Sequence, residues 1–158
     1  MKEIDRIVLD QLDKDCVDSP RKRAHFNIHP TLDDPIQRLC ISAEKGTYIR
    51  PHRHTEKGKW ELFILLEGSA SILIFDKDGI VLQRAELNAN QTRAVEIPPN
   101  VWHTLVVNSK SNLMEFKPGP YAPLSDKDFA KWAPGEKDDN AKKFEERIRN
   151  AKVGDSVL

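Results

Sequence analysis

The stretch Arg50–Gly68, "RPHRHTEKGKWELFILLEG", decides the fold. Its first part ends in His52-Arg53-His54, two imidazoles at i and i+2 in a chain that holds five histidines. A polar loop follows, and Glu61 then opens a strongly apolar run. In an extended chain, residues i and i+2 share a face, about 6.5–7 Å apart along the backbone. His52 and His54 therefore converge on one point while Arg53 turns away. The same parity puts Tyr48 and Arg50 on the histidine face, and sends Phe63 and Leu65 into the interior that Glu61 enters.

Working outward, the period of two persists. "QRLCISA", "TYIRPHRH", "ELFILLEG", "SASILIFD", "GIVLQRAEL", "RAVEIP", "HTLVVN" and "NLMEFK" read as short strands separated by turn residues. "DKDG", ahead of Ile80, is a hairpin connection in which Gly79 can take positive φ. Closely spaced strands without helical patterns between them predict an all-β, antiparallel sandwich or barrel over residues 37–124.

The flanks read differently. Ile4, Ile7, Val8 and Leu12 form an apolar stripe at helical spacing. Ser19 before Pro20 looks like an N-cap with a first-turn proline, which predicts a second short helix through "SPRKRAHF". Residues 1–36 are thus expected as a helical segment packed on the barrel. Residues 125–158 are expected as a charged extension, a solvated helix or disordered. Phe144 and Ile148 are the large apolar pair of "EKDDNAKKFEERIRNAK".

A chain of 158 residues suits one well-buried domain. Twenty-five basic side chains balance twenty-five acidic ones, which leaves no basic footprint for a nucleic acid or an anionic membrane. Cys16 and Cys40 follow no motif and read as small buried hydrophobes. Two such thiols in a chain whose start does not read as an export signal point to the cytoplasm.

Further along, "EIPPNVWHTLVVN" places His103 at the entrance of a strand. Three imidazoles and one carboxylate (His52, His54, Glu61 and His103) suit a divalent transition metal such as Fe, Mn, Ni, Co or Zn, and poorly suit Ca or Mg. Such a shell can close tetrahedrally or leave coordination positions open for a ligand. Arg50 either clamps a carboxylate or phosphate of a substrate or pairs with Glu115, which shares a strand face with Lys117. Tyr48 and Tyr121 are expected to pack, with a phenol in a pocket as the alternative. Trp60 and Trp102 each precede a proposed ligand and should point away from it. His25 and His29 fit capping or pocket-lining better than ligation.

The order Gly46, His52-Arg53-His54, Glu61, Gly68 resembles the first motif of the cupin superfamily, and "IPPNVWH" resembles the second. Asn100 stands where that second motif has glycine, a substitution compatible with positive φ. "TYIRPHRH", "KWELFILLEG", "IFDKDG", "AVEIPPNVWHT" and "EFKPGPYAPLSDKDFAKWAPGE" are together similar to WbuC-type cupin-fold metalloproteins, bacterial proteins associated with surface-polysaccharide gene clusters. The resemblance implies a double-stranded β-helix, or jelly-roll, barrel and a bound metal.

The expected function is therefore a cupin that binds a small oxygen-rich metabolite, a sugar or keto acid, at its metal. Tyr48, Arg50, Phe63, Glu115 and Lys117 are the candidate substrate contacts. As an enzyme it would be a metal-dependent isomerase, epimerase or dioxygenase; the alternative is a non-catalytic sensor. Along "ELFILL" both faces are apolar, which an open sheet with one wet face should not show. The N-terminal helix or a second protomer must cover the outer face, and a homodimer is expected.

Overall fold

The computed structural model describes residues 1–158, apart from the side chain of Asp126. Its elements in chain order are α1 (Arg6–Asp18), β1 (Arg23–Asn27), β2 (Ile36–Ala43), β3 (Glu61–Phe75), β4 (Val81–Leu87), β5 (Ala94–Ile97), β6 (Trp102–Pro118) and α2 (Ala141–Asn150). All strand pairs are antiparallel and form a six-stranded sheet in the order β1-β2-β6-β3-β4, with β5 also on β3.

The sheet folds over on itself because β3 and β6 are long and bend together. The first half of β3 pairs with β5, and its second half pairs with β4. Between them the β3–β6 register shifts three times, from Leu65 to Ala70. Bulges of this kind bend and twist a strand. Runs that read as separate strands ("ELFILLEG" with "SASILIFD", "HTLVVN" with "NLMEFK") are therefore continuous. Between the two halves lies the barrel core of Phe63, Leu65, Ile72, Leu87, Ile97, Leu105 and Leu113.

Both outer faces carry a cover. Asp5 caps α1 by accepting from the Val8 N–H at 3.0 Å. The helix then buries Leu9, Leu12 and Cys16 against Cys40, Leu66 and Met114. This corrects the expected stripe: Leu9 and Cys16 join Leu12, while Ile7 is 78% exposed. On the other layer, the outward residues Leu73, Phe75 and Val106 pack against Phe144 and Ile148 of α2.

Three further expectations are corrected. "SPRKRAHF" is not helical: Ser19 closes α1 through its N–H to the Cys16 carbonyl, a turn follows, and β1 pairs residue for residue with β2. Thr47–His54 is extended but joins no ladder beyond the bridges of His52 to His103 and Phe129. The tail is not solvated, since Phe144 and Ile148 are 8% and 1% exposed. Phe144→Ala is accordingly expected to cost ~3–5 kcal/mol in urea denaturation, where an exposed site would change by less than about 0.5 kcal/mol. Cys16 and Cys40 are buried free thiols. Among the described residues no helix is long and apolar enough to cross a membrane.

Candidate metal centre

Each member of the histidine cluster is placed by backbone bonds. His52 exchanges two backbone hydrogen bonds with His103, at 3.0 and 2.9 Å, which fixes the 47–54 segment against the start of β6. Glu61 is the first residue of β3 and points into the barrel, 3% exposed. Asn100 turns the chain into β6 at φ +62°, the conformation in which asparagine replaces glycine at least cost, and its N–H reaches the His54 carbonyl at 2.9 Å.

One donor atom from each of His52, His54, Glu61 and His103 lies within 4.8 Å of the others. The tautomers follow from the second ring nitrogen. His52 Nδ1 sits 2.9 Å from the Arg50 carbonyl and His103 Nδ1 2.8 Å from the Val101 carbonyl. A carbonyl only accepts, so each Nδ1 carries its proton and each neutral ring turns an Nε2 lone pair inward. Yet His103 Nε2 is 2.9 Å from Glu61 Oε2, a second acceptor. His54 Nε2 is 2.9 Å from Glu61 Oε1, but is not aligned for a hydrogen bond and has no other partner. Facing a buried carboxylate, such nitrogens are matched by a positive charge, either the proton of an imidazolium or a metal ion held among them. The donor set, three imidazoles and one carboxylate, fits a divalent transition metal.

Burial, reinforced by His103, pushes the His52 imidazole down to about 3, so the ring stays neutral as a ligand must. Burial alone would raise the Glu61 carboxyl. His103, His54 and Lys117 outweigh it and hold the group well below the usual carboxylate range. Lys117 Nζ is 3.2 Å from Glu61 Oε1 and also contacts Glu115. Burial, with Glu61 alongside, pushes the Glu115 carboxyl up despite that lysine.

Over the cluster lies a pocket of about 510 Å³, lined by His52, His54, Lys117, Tyr121, Leu124 and Phe129 among others. Its roof is the chain after β6. Lys59 Nζ holds the carbonyls of Pro118 and Pro120 at 3.1 and 3.0 Å, and Arg53 N–H donates to the Asp128 carbonyl at 2.9 Å. Thr55 and Ser125 donate to the Asp128 carboxylate. Burial would raise that carboxyl, and the hydrogen bonds prevail, drawing it down to about 2 from 3.8. A carboxyl depressed in the folded state stabilises fully above its unfolded value and loses that contribution as the pH falls through its folded one. Asp128→Asn is therefore expected to cost about 1–2 kcal/mol at pH 6 and almost nothing near pH 2, measured by denaturation at each pH.

Of the candidate substrate contacts, Lys117 lines this pocket and Tyr48, Arg50, Phe63 and Glu115 do not. Tyr48 packs among Phe144 and Val106 and donates to the Pro134 carbonyl, while Arg50 donates to the Ala130 carbonyl and rests over the Phe129 ring. Neither lines the histidine pocket, because the 47–54 segment leaves regular strand geometry and strand parity does not carry back along it. Arg50 does not pair with Glu115; Lys117 does. Phe63 lies in the barrel core, facing Glu115 across the β3–β6 ladder. Tyr121 is half exposed at the pocket rather than packed. Trp102 turns outward, with Arg53 over its ring at 4.4 Å. His29 Nδ1 bonds the backbone of Arg38. Lys59 and the roof escaped sequence reading; the cluster of prolines after β6 was their one signal.

A family model described as a domain of unknown function (DUF6016) matches residues 4–87, just over half of the chain. The chain belongs to the DUF6016 family. The match takes in His52, His54 and Glu61 and ends ahead of His103. No curated protein matches this DUF6016 chain. Among solved structures, it is similar to a cupin-2 domain containing protein of Shewanella frigidimarina, with 21% identity over 61% of this chain and 80% of that one, at a TM-score of 0.47. A point mutant of the salicylate 1,2-dioxygenase of Pseudoaminobacter salicylatoxidans, in complex with gentisate, is 12% identical over 73% of this chain and 33% of its own, at 0.57. An oxalate oxidase in complex with the substrate analogue glycolate is 11% identical over 66% and 55%, at 0.51. At these identities the likeness concerns the fold: this DUF6016 protein is an all-β antiparallel jelly roll, carrying a four-residue cluster able to hold a metal.

Proposed function

We propose that the protein holds one divalent transition-metal ion (Fe, Mn, Ni or Zn) between His52, His54, Glu61 and His103, and presents it to a small oxygen-rich metabolite in the roofed pocket. The reading is carried by the inward Nε2 atoms of His52 and His103, whose Nδ1 protons are committed to backbone carbonyls, facing a buried carboxylate. The ion would supply Lewis acidity toward a bound oxygen. Lys117 takes the place beside the cluster that sequence reading gave to Arg50, and its N–H donors suit the oxygens of a sugar or a keto acid. The similarity to WbuC-type proteins supports a place in surface-polysaccharide biosynthesis, and the free thiols suit a cytoplasmic setting. Glu61, held by two imidazoles and Lys117, is poorly placed to shuttle protons, which favours binding or Lewis-acid chemistry over acid–base catalysis by that residue.

Elemental analysis of protein purified without nickel resin is expected to give about one transition metal per chain, and His52→Ala to abolish it with the fold retained. A full complement in the variant, or none in the parent, overturns the reading. Turnover of keto acids or sugars, or oxygen uptake, separates an enzyme from the non-catalytic sensor.

Beyond α1 the outer sheet face continues through the half-buried Leu62, Ile64 and Phe116 to the exposed Phe26 and Ile36. A second copy is the proposed cover, giving a homodimer. Sedimentation at micromolar concentration tests it, and a monomeric mass refutes it.

A further inference from the structure

Arg50 and Arg53 differ from the other half-buried arginines, and of the two Arg53 lays its guanidinium over the Trp102 ring at 4.4 Å. The guanidinium groups of Arg23, Arg38, Arg84 and Arg149 each meet a carboxylate, at 2.5, 2.9, 2.5 and 3.1 Å. Arg50 meets none among the described residues. It donates to the Ala130 carbonyl at 3.1 Å, and its Nε is buried without an acceptor. A guanidinium carries five N–H donors and keeps its charge at every physiological pH. One neutral acceptor leaves most of that capacity uncompensated, and an anion is the partner that supplies the rest.

Arg50 lines a cleft of about 610 Å³ between the barrel and α2, apart from the histidine pocket. Lys131 and Arg147 line the same cleft, and neither has a carboxylate partner among the described residues. The one acidic side chain there, Asp138, accepts from the Gly135 N–H of its own loop at 2.7 Å. Asn140, also at the cleft, is the N-cap residue of α2 but makes no side-chain capping bond. The Ala141 N–H is taken by the Asp138 carbonyl at 2.9 Å, and the positive end of the helix dipole faces the cleft without a side-chain cap. Trp132 adds another buried donor without an acceptor, its Nε1.

We infer that this cleft is a second binding site, one that takes a phosphoryl group, either inorganic phosphate or a phosphomonoester. Three cationic side chains against one acidic one leave the cleft lining positive, the match for a phosphate anion. The planar guanidinium groups of Arg50 and Arg147 suit bidentate contacts to its oxygens, and Lys131 adds a point charge at the rim. The Phe129 ring lies 5.1 Å from the Arg50 guanidinium and 6.3 Å from the His52 ring, and Arg50 and His52 line different pockets. The anion therefore sits apart from the histidine cluster rather than on it. Nothing in this site requires a metal.

Isothermal titration at constant ionic strength, with inorganic phosphate and with glucose 6-phosphate, tests the assignment on the full chain as purified and again after chelation. Saturable binding of one ligand per chain is expected, with a dissociation constant below about 10 mM and unchanged by chelation. Arg50→Met and, separately, Arg147→Gln should each weaken it by about tenfold or more. Arg147 is exposed, so its variant remains informative if Arg50→Met unfolds. Equal affinity for the two ligands identifies free phosphate as the occupant, and tighter binding of the ester identifies a phosphorylated metabolite. Absence of saturation with both ligands, or unchanged affinity in both variants, overturns the inference. So does binding that chelation abolishes, which would place the phosphate on the histidines.

Discussion

Glu61→Gln is expected to reduce bound metal from about one ion per chain to less than about a tenth of that, a loss in affinity of at least about 100-fold. The substitution keeps the shape of the side chain and removes its charge. Glu61 is the one anion among the four donors, and its two oxygens face the Nε2 atoms of His54 and His103 at 2.9 Å each. Three neutral imidazoles would remain, with an amide that is a much weaker ligand for a transition ion. Lys117 would also lose one of its two carboxylates and keep Glu115. A positive charge beside the metal would then be less well neutralised, which repels the ion further. Glu61→Asp restores the charge on a shorter arm and should recover part of the metal. Elemental analysis after gel filtration reads both variants, with circular dichroism to establish the fold. A glutamine variant that keeps its full metal content would mean that the carboxylate serves only to orient the histidines.

How much of this was legible in the sequence follows from the range of each interaction. The alternation in "ELFILL" depends on neighbouring residues alone, and it placed Glu61, Phe63 and Leu65 on the buried face where the structure has them. His52 and His54 were likewise grouped by local spacing. His103 entered through its proline-rich approach, since the forty-two residues separating it from Glu61 hide their contact.

Reading failed where partners distant in sequence override local pattern. "SPRKRAHF" has a plausible helix start, yet β2 offers β1 a full ladder. Arg50 shares strand parity with His52 only while the segment stays regular, and bridges to His103 and Phe129 at His52 end that regularity. In the tail, polar residues dominate and mask Phe144 and Ile148. The surface they fill, made of Leu73, Phe75 and Val106, comes from strands far upstream.

Gly68→Ala is expected to destabilise the protein by more than about 4 kcal/mol, a cost reserved for a few mechanisms. Two of these act together at this position. Gly68 has φ +89°, where a side chain is strained by about 1–3 kcal/mol. A Cβ there would also lie 2.2 Å from the Lys110 carbonyl oxygen and 2.7 Å from Ser111 Cα, atoms of the β6 backbone that cannot swing aside. Relief requires β3 and β6 to part at the bend that carries the sheet from one layer to the other, where the Ser69 N–H bonds the Ser111 hydroxyl. Gly58 separates the two contributions. Its φ is +80°, and a Cβ would meet nothing within 4 Å, so Gly58→Ala should show the backbone strain alone, about 1 kcal/mol. Urea denaturation of both variants gives the difference directly. Equal losses would mean that the close passage of the two long strands at Gly68 contributes nothing to the fold.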